Sequence, residues 1–133
     1  MIFNKNIIKS AQKALSKELS SIKTLKSTFD KNFCQAIELI YNTKGKIIIS
    51  GVGKSAHIGN KIAATLTSTG TPSYFVHATE ASHGDLGSIK KGDCVIAISN
   101  SGETSELKNL IQFTTRFSIK LICITSNAKS TLY

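Results

Sequence analysis

Cys94-Val95-Ile96-Ala97-Ile98 runs without a break into Ser99-Asn100-Ser101-Gly102-Glu103-Thr104-Ser105-Glu106. An apolar run of that length, rich in β-branched residues, reads as a strand buried on both faces, the habit of parallel sheets. The stretch after it is too polar to continue a strand, and it opens a helix through Leu107, Leu110 and Ile111. The expected helix spans 103–116. A helix N-terminus presents unpaired N–H groups and partial positive charge, so it receives anions, phosphate above all. The hydroxyls of Ser99, Ser101, Thr104 and Ser105, together with Gly102, make a cradle there for a phosphate monoester. Glu103 and Glu106 stand beside it for proton chemistry.

The same alternation repeats on either side. Lys46-Ile47-Ile48-Ile49-Ser50 reads as a first strand, followed by Gly51-Val52-Gly53-Lys54-Ser55 and a helix from Ala56 to about Ser68. Gly70-Thr71-Pro72 is a turn, Ser73–His77 a second strand, and 78–88 a loop or short helix. Lys120–Thr125 is the fourth strand after 94–98 as the third. Strands alternating with helices imply βαβ units with right-handed crossovers, hence an α/β sandwich of three layers around a central parallel sheet.

Ahead of the sheet, residues 5–43 contain neither glycine nor proline and keep a helical apolar period from Ile8 to Ile40. They read as one long helix or two consecutive ones, with Asp30 capping the second. The expected domains are therefore a helical arm, 1–45, and a sheet domain, 46–133. Ser126–Leu132 reads as the opening of a further helix. A parallel sheet needs helices on both faces, so the pattern is that of a domain cut short and incomplete at its C-terminus.

A length of 133 residues suits one modest core. Hydrophobic content of 41% and charged content of 19% suit a globular chain rather than a disordered one. No apolar run reaches the roughly 18 residues that would span a bilayer. Lys5, Lys9, Lys13 and Lys17 interrupt any signal-peptide core, so no membrane association and a cytoplasmic location are expected. The net charge of +9 invites a nucleic-acid reading, but nine lysines lie within residues 1–46, and those at 5, 9, 13 and 17 form one row of an amphipathic helix. With no aromatic interleaving and no zinc-finger spacing, nucleic acid is not an expected partner. Five of the eight acidic residues lie between Glu80 and Glu106, where the site is placed. Cys34, Cys94 and Cys123 are odd in number and widely spaced, which suits buried small hydrophobes rather than disulfides or a metal knuckle.

Gly51-Val52-Gly53-Lys54-Ser55 fails as a nucleotide P-loop, because Ile48 stands where that pattern needs its first glycine. It does satisfy the dinucleotide fingerprint through Gly51, Gly53 and Ala56, with Glu80 following the next strand; a plain tight turn needs the same glycines. Lys54 places a cation at the mouth of that turn. His77-Ala78-Thr79-Glu80-Ala81-Ser82-His83-Gly84-Asp85-Leu86-Gly87 concentrates imidazoles and acids. A metal would need three converging ligands, and no signature spacing supports one. His77 reads as a strand-end histidine bonded to backbone, His83 as facing the crevice, Asp85 as a turn residue. One of Glu103 and Glu106 serves the helix dipole.

Taken together, these segments resemble the sugar isomerase (SIS) family, and within it the arabinose-5-phosphate isomerases that include capsule-expression and glucitol-linked members. The resemblance runs from about Lys46 to Tyr133. It rests on Gly51–Gly59, Ser68–Pro72, Glu80–Gly87 and Ile98–Glu106 in order and at matching intervals. It implies a flavodoxin-type sheet and reversible conversion of arabinose 5-phosphate to ribulose 5-phosphate, a step that feeds lipopolysaccharide biosynthesis. It implies no cofactor and no metal, a sugar phosphate as partner, and a homo-oligomer. By the same resemblance Lys54, His83 and Glu106 are catalytic. Glu106 transfers the proton, Lys54 stabilises the enediolate oxygen, and His83 assists ring opening or proton shuttling. Ser99, Ser101, Gly102 and Thr104 hold the phosphate, with Ser55 nearby, and Glu103 is the helix-dipole acid. Family members continue further, with another site glutamate and histidine and usually paired CBS modules. The resemblance therefore leaves two expectations: an isomerase fragment impaired by the missing part, with little or no turnover without a separate C-terminal fragment, or a non-catalytic phosphosugar-binding module or gene remnant.

Overall fold

The computed structural model describes residues 4–132. By internal contact the chain divides into two units, Met1–Ile37 and Glu38–Tyr133. In the first, α1 spans Lys5–Thr24 and a single 3-10 turn covers Leu25–Thr28; α2, Lys31–Tyr41, begins in the first unit and ends in the second. The break between the helices follows from local chemistry. Asp30 accepts the Phe33 N–H through Oδ1 at 2.9 Å, so it caps α2 as the sequence predicts. Asn4 caps α1 in the same way, accepting from the Asn6 N–H at 3.1 Å. The row Leu15, Leu19 and Ile22 is exposed, as are the lysines of α1. Cys34 is exposed too, contrary to the expectation of a buried thiol.

The second unit holds a four-stranded sheet of β1 (Ile47–Gly51), β2 (Ser73–His77), β3 (Cys94–Ile98) and β4 (Lys120–Ile124). The order is β2-β1-β3-β4 and every pairing is parallel, as expected. α3 (Lys54–Ser68) links β1 to β2; the short α4 (Ala78–Ala81) follows β2; α5 (Lys108–Arg116) links β3 to β4. Alternation along the strands divides the core in two. Ile47, Ile49, Cys94 and Ile96 pack with Ala63 of α3 on one face. Ile48, Val76, Val95 and Ala97 pack with Ala78, Ala81, Leu107 and Leu110 on the other. Helices thus cover both faces, giving three layers, and β1 is buried along its whole length. At about 25 cal/mol per Å² of apolar surface removed from water, this double-sided burial is the main source of the sheet's stability.

Burial also explains the thiols of the sheet. Cys94 and Cys123 have their pKa values raised by desolvation, as expected of small hydrophobes held in strands. The last segment departs from expectation. No helix opens at Ser126 in the described residues; 128–132 form turns, and Leu132 is buried in the second core cluster.

Candidate functional site

The strand order reverses at β1: the chain steps outward to β2, then returns past β1 to β3 and β4. In such sheets the crevice for ligands opens at the carboxyl ends of the two strands flanking the reversal. Here those ends are Gly51 and Ile98, which pair directly in the register. The loops 51–55 and 98–105 leave the sheet side by side. Their closeness depends on Gly51, where a Cβ would stand 3.1 Å from Ser55 Cβ and 3.2 Å from the Ile98 carbonyl oxygen.

The residues predicted from sequence fall on this carboxyl edge. Lys54 is exposed at the first position of α3, and Ser55 is half-buried behind it. No side chain caps α3, so its N-terminal N–H groups face the crevice edge without a protein acceptor of that kind. His83 is exposed two residues beyond α4; its N–H donates to the Glu80 carbonyl at 2.9 Å, so the pair share a turn. His77 behaves as predicted: Nδ1 accepts the Thr79 N–H at 3.3 Å and caps α4. Asn109 of α5 donates to Ser82 Oγ at 2.9 Å and ties the His83 turn to the next crossover. Among the described residues, no cluster of His, Cys, Asp and Glu gathers as a metal ion would need.

The 99–104 loop is wired from within. Ser99 is buried, and its Oγ lies 2.6 Å from Thr104 Oγ1. It also accepts the Gly102 N–H at 3.0 Å. Ser101 is exposed, and its Oγ accepts the Glu103 N–H at 3.2 Å. The N–H groups of Gly102 and Glu103 thus have partners inside the loop. Ser99 is held inside the loop, while Ser101 is exposed and Thr104 half-buried at its surface.

The two acids differ from expectation. The segment expected to be helical from 103 begins as a 3-10 turn, Ser105–Leu107, and α5 proper starts at Lys108. Glu106 lies in that turn and accepts from the Ser105 hydroxyl at 2.8 Å. That bond holds its carboxyl below the ordinary value, helped by its own N–H. Glu103 precedes the turn and is not the helix-dipole acid. Its carboxylate accepts the Thr131 N–H at 2.8 Å and the Thr131 hydroxyl, and these bonds lower its pKa in turn. Sequence reasoning missed this partner, since nothing in a linear pattern pairs residues 28 apart.

Known proteins settle the family. Residues 39–133 match the SIS domain family. The chain belongs to the SIS family. The SIS chain is 47% identical over 129 residues to the arabinose 5-phosphate isomerase KdsD of Pseudomonas aeruginosa, covering 97% of this chain and 40% of that protein. It is 50% identical over 118 residues to KdsD of Francisella tularensis, covering 86% of this chain and 36% of that protein. It thus spans about two fifths of the length of these curated relatives. Among solved structures, an Escherichia coli CFT073 protein in complex with arabinose 5-phosphate superposes with a TM-score of 0.92 at 40% identity, covering 98% of this chain and 70% of the other. Among the described residues, no helix is long and apolar enough to cross a membrane.

Proposed function

We propose that this SIS chain binds an aldopentose phosphate and takes part in the interconversion of arabinose 5-phosphate and ribulose 5-phosphate. The observation that carries the reading is the convergence of two loops, 51–55 and 99–106, at the strand-order reversal. One loop brings a cation and a helix N-terminus, the other a hydroxyl-lined turn and a carboxylate. In this reading Ser101, Thr104 and Ser55 hold the phosphate, on a loop shaped by Ser99 and Gly102. Aldose–ketose exchange moves a proton between adjacent carbons through an enediol, so it needs a base, a stabiliser of the developing oxyanion and a group that assists ring opening. Glu106, kept ionised by Ser105, is the base. Lys54 faces the oxyanion. His83 assists ring opening and proton shuttling.

Titration with arabinose 5-phosphate, followed by amide shifts and by the appearance of ribulose 5-phosphate, tests the reading. Joint shifts at 51–56 and 99–106 are expected, with low turnover from this chain alone. Joint shifts without turnover would favour a non-catalytic phosphosugar-binding module. Shifts limited to the Gly51 loop, matched by binding of NAD, would overturn it in favour of a dinucleotide site.

A further inference from the structure

A loop that receives phosphate works only if its backbone is held in one shape before the ligand arrives, because binding energy otherwise goes into ordering it. In this chain that shape is imposed from outside the loop. Ser126 approaches the Asn100 carbonyl with both its N–H, at 3.1 Å, and its hydroxyl, at 2.6 Å. Asn127 Nδ2 donates to the Ser101 carbonyl at 3.4 Å. The Leu132 N–H donates to the Gly102 carbonyl at 3.2 Å. Three consecutive carbonyls are thus drawn to one side by the segment 126–132. Since the peptide is planar and trans, a carbonyl drawn one way turns the next N–H the other way. The Ser101 N–H is accordingly directed away from this segment.

The contact is close as well as polar. A Cβ at Gly102 would lie 1.9 Å from Ser130 Oγ, and Gly102 has φ +70°, so this position is closed to other residues on two counts. Leu132 is buried beneath, with 4% of its surface exposed, and Ser130 with 8%. The charged link is the pair of bonds from Thr131 to the Glu103 carboxylate. Bonds to an ionised acceptor are about twice as strong as neutral ones.

We propose that Glu103 is a positioning residue: by clasping Thr131 it fastens the 126–132 segment against the 99–104 loop and holds that loop ready for phosphate. The proposal rests on the phosphate-loop reading given above. Glu103 touches no substrate. It acts through the backbone of Asn100, Ser101 and Gly102, and Thr131 is its working partner rather than a bystander of the last turn.

The test compares the full chain with Glu103→Gln, Thr131→Val and Thr131→Ser, using inorganic phosphate and arabinose 5-phosphate as probes. Amide shifts at 99–106 report affinity, and hydrogen exchange at Leu132 reports the clasp. Exchange at Ile48 and Val95 reports the core. Glu103→Gln and Thr131→Val should each weaken binding of both probes about tenfold, with faster exchange at Leu132 and unchanged core protection. Combined, they should weaken it no further than either alone, since both remove the same link. Thr131→Ser keeps the hydroxyl and should restore affinity. Wild-type affinity in Glu103→Gln with fast exchange at Leu132 would overturn the clasp alone. Failure of Thr131→Ser to restore binding, with the core intact, would overturn it as well. Absence of shifts at 99–106 in the wild-type chain would instead overturn the phosphate-loop reading, and the clasp with it.

Discussion

Glu103 and Glu106 have the same functional group three positions apart, yet their surroundings give them separate work. Glu106 has a single hydroxyl donor, Ser105, on an exposed turn, which leaves its other oxygen available to a substrate. Glu103 has both oxygens engaged by Thr131. Kinetics should separate them. In a full-length relative carrying this segment, Glu106→Gln keeps the shape but removes the proposed base, and turnover should fall about 10²–10⁴-fold with little change in phosphosugar affinity. Glu103→Gln should show the opposite pattern, with affinity lost and the chemical step little changed. The Ser105 hydroxyl also sets a pH limit. It lowers the Glu106 pKa, so the ionised base persists to more acidic pH than an ordinary carboxylate allows. Ser105→Ala removes the main cause of that lowering. The acid limb of the kcat/KM profile should therefore move to higher pH; an unmoved limb would assign it to another group.

At the level of elements, the loops that close the lower edge of the sheet have their own anchor. Asp93 is buried, and its two carboxylate oxygens accept from the Lys46 N–H at 2.8 Å and the Lys90 N–H at 2.7 Å. One side chain thus fixes where β1 and β3 enter the sheet. Asp93→Ala leaves both donors without that acceptor and should cost about 1–3 kcal/mol, read as a lowered urea midpoint with an unchanged slope. The strands themselves were legible in the sequence, β2 and β3 to the residue and β1 and β4 to within one, because a buried parallel strand is a largely apolar run and its neighbours are turns. Asp30 as a cap was legible for a similar reason, since capping is a local matter. The start of the helix after β3 was not. Its small polar residues bond to one another, Ser99 to Thr104 and Ser101 to Glu103, so the chain remains in turns until Lys108. The contact of Glu103 with Thr131 was illegible because it depends on how β4 returns the chain to the loop, which no local pattern encodes.

Across the whole sheet unit, stability and site share one foundation. Leu107 and Leu110, directly after the phosphate loop, are fully buried among Ile48, Val95 and Ala97. Leu110→Ala should therefore cost about 2–5 kcal/mol, and a lowered melting temperature of the sheet unit, with α5 and the sheet lost in one transition, is the expected reading. Separate transitions would show that the two layers do not depend on each other. The clasp between Glu103 and Thr131 carries a consequence for the order of events during synthesis. Translation delivers Ser99–Glu106 well before Thr131, and a polypeptide emerges at about 5–20 residues per second. The loop's own hydroxyls and amides are all present by then, yet the segment that draws its carbonyls to one side has not been made. A nascent chain can thus complete three strands while the 99–104 loop is still unbraced, and on the proposed reading it should gain affinity for phosphate only once the residues through Leu132 have left the ribosome.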